Sequence, residues 1–210
     1  MSETAYDHDL LIGACDWRYP RWVGDFYPDD LPEDWRLGYY GNEFPVVLVP
    51  ADYTLDDDGY AALLEDSGEV LRFVIAIDHA GDAVARLAAA RQLGARCVGI
   101  LLDARHMEAA ARDTLLAQCA PLPVSVWGAD ALPAVGPGAG WCWDGQGEPP
   151  PAAALNLARL DVATVSPRRL RAVIEVLLAR ADESVAVLLL DGDPPSPETL
   201  RQAIVIRDLL

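Results

Sequence analysis

Phe73-Val74-Ile75-Ala76-Ile77-Asp78 is an apolar run stopped by an aspartate, and Val98-Gly99-Ile100-Leu101-Leu102-Asp103 repeats the form after one intervening helical pattern. A continuous apolar run of this length, rich in β-branched residues, reads as a strand buried on both faces, as in a parallel sheet covered by helices. Working outward, the pattern recurs at 10–15 before Asp16, 46–49 before Asp52, 124–127 before Asp130 and 141–143 before Asp144. It recurs again at 155–160 before Asp161 and 185–190 before Asp191. Eight such runs match the strand count of a closed β/α barrel, whose working face is built at the carboxyl ends of the strands. The expectation is therefore an α/β fold, a compact parallel TIM-type (β/α)8 barrel, with residues 1–210 forming one domain.

Helical patterns separate most of the runs. They cover 55–66, 82–93 with Gly94 as a C-cap, and 107–119 ahead of Pro121. Ser166-Pro167 and Ser196-Pro197 each place an N-cap serine before a proline, the start signal of the last two helices. Two connections break the rule. The stretch 130–140 is rich in glycine and proline, and 144–151 reads Asp-Gly-Gln-Gly-Glu-Pro-Pro-Pro. Neither can be an ordinary covering helix, so strands five to seven are expected to lack helical cover. Trp141 and Trp143 sit on this side and share a face, either filling the barrel or forming an outward apolar patch. Self-association through that side, as a homo-oligomer, is one expected partnership, and a different protein partner is another.

Composition narrows the function classes. With 16 basic and 33 acidic residues the formal net charge is −17, and no basic run exists. That argues against nucleic acid, which is held by replacing phosphate counterions, and against an anionic membrane surface. No apolar stretch reaches the roughly 18 residues of a membrane span, and residues 1–9 lack the pattern of a signal peptide. Cys15, Cys97, Cys119 and Cys142 show no CxxC spacing and read as buried free thiols. A cytoplasmic protein is expected.

The segment from Ile12 to Pro28 is the most specific in the chain. Gly13, Trp17, Tyr19, Trp22, Phe26, Tyr27 and Pro28 follow the order Gly-x-x-x-Trp-x-Tyr-x-x-Trp-x-x-x-Phe-Tyr-Pro. This resembles the opening of the YecE-like family, also called the domain of unknown function 72 family. The resemblance is strong over about the first 45 residues and has a weaker echo at 188–193 and 200–209. It implies a TIM-type barrel and no settled activity. Departures accompany it. Leu48 and Pro50 stand where the family carries Glu-x-Asn, with Tyr53 retained, and Asp78 stands for a lysine. Val126-Trp127-Gly128-Ala129 replaces a Glu-Phe-Arg-His-type stretch, Arg159-Leu160-Asp161 an Arg-Leu-His, and Asp191-Gly192 an Asn-Asn. The resemblance thus implies a shortened, diverged member that has lost most of the family's polar pocket.

Several chemistries compete at the strand ends. Converging carboxylates, Asp78, Asp103 and Asp191 first, could hold a divalent metal and activate water, with His79 and His106 for ligation or proton transfer. Strand-end aspartates also cap turns and helices with no ligand involved. Ser166, Arg168 and Arg169 could bind an anion, opposed by Asp161, Asp191 and Asp193. Trp17, Tyr19, Trp22, Phe26, Tyr27 and Trp35 form either a flat ligand wall, with Arg18 or Arg21 as cation–π partners, or a packed plug. Cys15 is the one plausible reactive thiol, with His79 or His106 as a distant base. No G-x-S-x-G, G-x-G-x-x-G or P-loop lysine occurs, so no cofactor and no resident metal are expected. The candidate ligand-binding set is Asp16, Trp17, Tyr19, Trp22, Tyr53, Asp78, His79, Asp103, Arg159, Asp161 and Asp191. The leading expectation is a diverged non-catalytic barrel that binds a small molecule or a protein. The alternative is a divalent-metal-dependent hydrolase acting at the barrel mouth, and a nuclease-like role is opposed by the charge.

Overall fold

The computed structural model describes residues 10–79, 81–128, 139–181 and 184–210. The strands are β1 (Leu10–Ala14), β2 (Val46–Val49), β3 (Arg72–Ile77), β4 (Cys97–Asp103), β5 (Val124–Trp127), β6 (Ala139–Trp141), β7 (Leu155–Asp161) and β8 (Val185–Asp191). The helices are α1 (Arg36–Gly41), α2 (Asp57–Asp66), α3 (Ala83–Gln92), α4 (Ala109–Cys119), α5 (Pro167–Ala181) and α6 (Pro197–Asp208). All strand pairs are parallel, in the order β6-β5-β4-β3-β2-β1-β8-β7. The barrel is nearly closed between β6 and β7. There a single bridge joins Trp143 to Ala158, with Trp143 N–H donating to Leu157 O at 2.9 Å and Arg159 N–H to Trp143 O at 2.9 Å. No helix among the described residues is long and apolar enough to cross a membrane.

The sixth strand pairs earlier than its apolar run suggests. Ala139–Trp141 form the ladder with β5, and Trp143 has already left it for β7. The small residues Ala139 and Gly140 let the chain lie close to its neighbours; a Cβ on Gly140 would sit 2.5 Å from the Ala153 Cβ. No helix lies between β6 and β7, as the Pro-rich 144–151 stretch predicts. Of the Gly/Pro loop expected at 130–140, residues 130–138, with Asp130, lie outside the described residues, as do residues 1–9.

Strand alternation divides the core into two layers. Cys15, Val46, Leu48, Val74, Leu101, Leu157 and Leu189 pack together in the lumen, with Trp127 and Cys142 beside them. Ile12, Val47, Phe73, Ile75, Leu102 and Leu188 face the helical jacket. Trp141 and Trp143 belong to this outer layer, so the pair points outward; Trp143 is buried and Trp141 half-buried. Parallel register puts every strand's carboxyl end, and so every described strand-end aspartate, on one rim.

Candidate functional site

The rim carboxylates do not converge on one point. Most are held by a neighbouring arginine or by their own turn. Asp16 accepts from the Trp17 and Arg18 amides at 2.7 and 2.9 Å, and from Arg18 Nε and Nη2 at 3.0 and 2.8 Å. Arg18 Nη2 also reaches Asp52 at 2.7 Å. Asp103 repeats the arrangement with Arg105, accepting from its amide at 3.1 Å, from Nε at 2.9 Å and from Nη2 at 2.5 Å. Both pairs are spelled Asp-x-Arg. The short spacing lets one carboxylate receive the turn amide and the guanidinium fork together. Asp191 accepts from Arg159 Nε at 2.9 Å and Nη2 at 2.6 Å, across the β7–β8 register. Asp161 and Asp144 accept from the amides of Ala163 and Gln146, closing their turns.

A histidine stands in one acidic group. His79 Nδ1 lies 2.7 Å from Asp78 and 3.2 Å from Asp82, and the three offer ligand atoms within 4.8 Å of one another. Asp103 and Asp191 are not members of that group. Of the carboxylates named for a metal, Asp78 stands in this group with His79, while Asp103 and Asp191 lie elsewhere on the rim. His106, Ser166, Arg168 and Arg169 do not join a site either; Arg169 Nε donates to Gly145 O at 2.9 Å, and Ser166 caps its own helix from Arg169 N–H at 3.3 Å.

The aromatic segment divides. Trp22 is fully buried, donates to Pro195 O at 2.9 Å and is ringed by Tyr19, Phe26, Tyr27 and Tyr40. It is part of a plug between β1, α1 and the β8–α6 turn, and no ligand wall includes it. Trp17 and Tyr53 meet at 5.2 Å, with the Arg18 guanidinium over both rings. Tyr19 packs edge-on against Trp22 at 4.7 Å, and burial with the nearby Cys15, Asp16 and Asp191 pushes its hydroxyl's pKa up.

One cleft of the rim adjoins Trp127, at the end of β5. The guanidiniums of Arg105 and Arg159 lie 6.0 and 5.3 Å from its ring centre. Beside it opens a cleft of about 420 Å³ lined by Arg105, Trp127, Gly128, Trp141, Cys142, Trp143, Asp144, Glu148 and Pro150. Gly128 has φ +79°, and a Cβ there would strike Arg105 Cγ at 1.8 Å, so the glycine lets the arginine lie flat across the rim. Beneath Trp127 the lumen is closed by Cys15 and Cys142, whose thiols burial pushes up, and by Ser125, fully buried with no hydroxyl partner among the described residues. Burial works to raise Asp103, and the hydrogen bonds and charge of Arg105 outweigh it, holding that carboxyl below its usual range.

Arg159, one of the candidate residues, lies beside Trp127. Arg105 and Trp127 were not among the expected residues. The signal that finds Arg105 is the repeated Asp-x-Arg; Trp127 is betrayed only by alternation, since it is the lumen-facing terminus of an apolar run.

The family model described as protein of unknown function DUF72 matches residues 11–53. Among solved structures the chain is similar to a DUF72 family protein from Thermotoga maritima, with TM-score 0.63 and 12% identity over 96% of this chain and 99% of that one. It is similar to another from Enterococcus faecalis, with TM-score 0.62 and 12% identity over 96% and 97%. At such identity the likeness is one of fold. No curated protein matches the chain.

Proposed function

We propose that this chain is a diverged barrel of the DUF72 kind, non-catalytic, that binds a small polar molecule across the face of Trp127. The observation that carries the reading is the cleft of about 420 Å³ in which indoles stand beside fixed guanidinium and carboxylate groups. Aromatic walls with a few well-placed polar groups are what a small-molecule site needs. Asp103 and Asp191 lock Arg105 and Arg159 in place and neutralise them. Such a wall offers donors and acceptors without a net positive field, which suits a neutral, hydroxyl-bearing ring with one flat apolar side better than an anion.

Acid–base chemistry has little to work with at this rim. A general acid or base needs a pKa near the working pH. Burial moves Cys15, Cys142 and Tyr19 upward, and Arg105 holds Asp103 down. The same side is less suited to a second copy of the chain, because Trp143 is covered and Trp141 half-covered. Four free cysteines fit a reducing, cytoplasmic setting.

The test is calorimetric titration with glucose and with its carboxylated analogue glucuronate. Glucose is expected to bind with a Kd on the order of millimolar, more tightly than glucuronate, and Trp127→Leu should abolish the heat while Trp127→Phe keeps part of it. Tighter binding of glucuronate, no binding of either, or binding indifferent to Trp127→Leu overturns the reading.

A further inference from the structure

A second cleft lies on the outer wall, away from Trp127. Its sides are the 3₁₀ turn Glu33–Trp35 with α1, and the C-terminal end of α2. It measures about 470 Å³, and its lining includes Leu31, Asp34, Trp35, Tyr39, Glu65 and Asp66. An adjoining cleft of about 330 Å³ shares Asp34 and Asp66 and runs on to Trp17, Arg18 and Tyr53 at the barrel mouth. Together they form a groove longer than one side chain.

Three features of its outer end ask for a cation. Trp35 is 64% exposed, the most exposed aromatic among the large apolar side chains described. Beside it, α2 ends on Glu65 and Asp66 with no basic residue in the last turn. Carboxylates there add to the negative pole of the helix, where a basic side chain is the favourable choice. Local chemistry that runs against the helix's own preference points to a role outside the helix. Asp34 faces the same cleft from the opposite side, and among the described residues no ion pair neutralises Asp34, Glu65 or Asp66. Burial first, and then the charges of Asp34 and Glu65, push the Asp66 carboxyl up.

We infer that this groove docks an extended basic segment of a protein partner, with an arginine or lysine side chain laid on Trp35 between Asp34, Glu65 and Asp66. The indole supplies the cation–π face and the carboxylates supply charge-assisted acceptors. The inner end of the groove carries Arg18 and Arg36. Arg18 is already paired with Asp16 and Asp52, and Arg36 with Glu33 at 3.5 Å, so the carboxylates without an ion pair among the described residues lie toward the Trp35 end, and the bound segment places its basic residue there. An exposed tryptophan set in a charged rim is also the composition of an interface anchor. This site is separate from the Trp127 cleft and stands or falls without it.

The experiment is calorimetric titration at low salt with a capped glycine-rich pentapeptide carrying one arginine, and with its citrulline counterpart. The arginine peptide is expected to bind, and citrulline to weaken it roughly tenfold or more. Trp35→Ala and the double variant Asp34→Asn/Glu65→Gln should each cause a similar loss. The charge-matched control Asp57→Asn/Asp58→Asn, at the far end of α2, should stay within roughly twofold, as screened surface charges do. Circular dichroism checks that each variant is folded; Trp35 is exposed, so its loss should leave the fold intact. The inference is overturned by absence of binding, by equal weakening in both double variants, or by indifference to Trp35→Ala. It is overturned as well if arginine amide binds as tightly as the peptide, because the groove would then hold a free amine and not a protein segment.

Discussion

Around β1 to β4 the barrel is pinned by side chains that serve main-chain groups, whereas from β5 to β7 it is held by short ladders and one bridge. On the first side, the Tyr40 hydroxyl donates to Val46 O at 2.8 Å and accepts from Ala14 N–H at 2.8 Å, tying β1 to β2 beyond their short register. Arg86, 2% exposed, donates to Ala76, Val49, Pro50, Ala51 and Tyr53 carbonyls at 2.5, 3.1, 2.8, 3.2 and 2.7 Å. It thereby satisfies the carboxyl ends of β2 and β3 without a single carboxylate. On the second side, β6 is three residues long and, among the described residues, the bridge at Trp143 carries the closure. The family match ends at residue 53, inside the pinned region, and the cleft beside Trp127 lies in the other. The rigid wall thus fixes the barrel, and the loosely jacketed flank leaves room for a site.

The most severe way to break this contrast is steric. A Cβ on Gly13 would fall 1.7 Å from Val46 O, a backbone atom that cannot step aside. Gly13→Ala is expected to cost more than about 4 kcal/mol in urea unfolding, or to prevent folding. On the flank, Gly147 has φ +59° and open space around it, so Gly147→Ala should cost only the backbone strain, about 1 kcal/mol. Equal losses at the two positions would erase the distinction between wall and flank. Arg86→Met comes next. It keeps the aliphatic stem but leaves five carbonyls short of their donor, and about 3 kcal/mol of stability should go. If the unfolding midpoint barely moves, water has replaced the guanidinium and the pin is not one.

The two regions were also unequally legible in the sequence. The lumen and jacket layers followed from apolar runs such as 185–190, because burial on both faces demands a continuous run. The helix starts at Ser166 and Ser196 were legible from their Ser-Pro pairs, although only Ser166 receives an amide with its side chain, and Gly94, at φ +55°, follows the end of α3 as expected. The site was harder. Strand-end aspartates suggested a ring of free carboxylates, yet whether an aspartate is free depends on residues two positions on or a strand away. Arg105 could be found from its Asp-x-Arg spacing, but the Arg159–Asp191 pair required the β7–β8 register. Trp22 shows the reverse limit. Its place in a specific motif marked it as important, and only packing reveals that it is fully buried and bonded to a turn distant in sequence.

Smaller effects sharpen the reading of the rim. Asp103 is held below the usual carboxylate range, burial opposing and Arg105 prevailing. A depressed folded pKa contributes stability that is full above the unfolded value, about 3.9, and is lost as pH falls through the folded one. Asp103→Asn should therefore flatten the stability profile below about pH 4, by less than about 1 kcal/mol because Arg105 is half-exposed. An unchanged profile would mean that Arg105 is not held there in solution, and the wall beside Trp127 would lose its order.

The smallest expected change is none at all. Asp78, His79 and Asp82 are the one group of its kind among the described residues with ligand atoms close enough for an ion, and two of the three are exposed. The neighbouring carboxylates that a hydrolytic site would recruit are already bound, Asp103 by Arg105 and Asp191 by Arg159. A divalent ion would have to pull them from guanidinium forks or accept a three-ligand surface site. With millimolar Mn²⁺ the melting temperature should hold within about one degree, in the parent protein and in Asp78→Asn alike. A rise of several degrees that Asp78→Asn removes would return the metal-dependent hydrolase to first place. It would also move the centre of the molecule's chemistry from the open flank to the pinned wall.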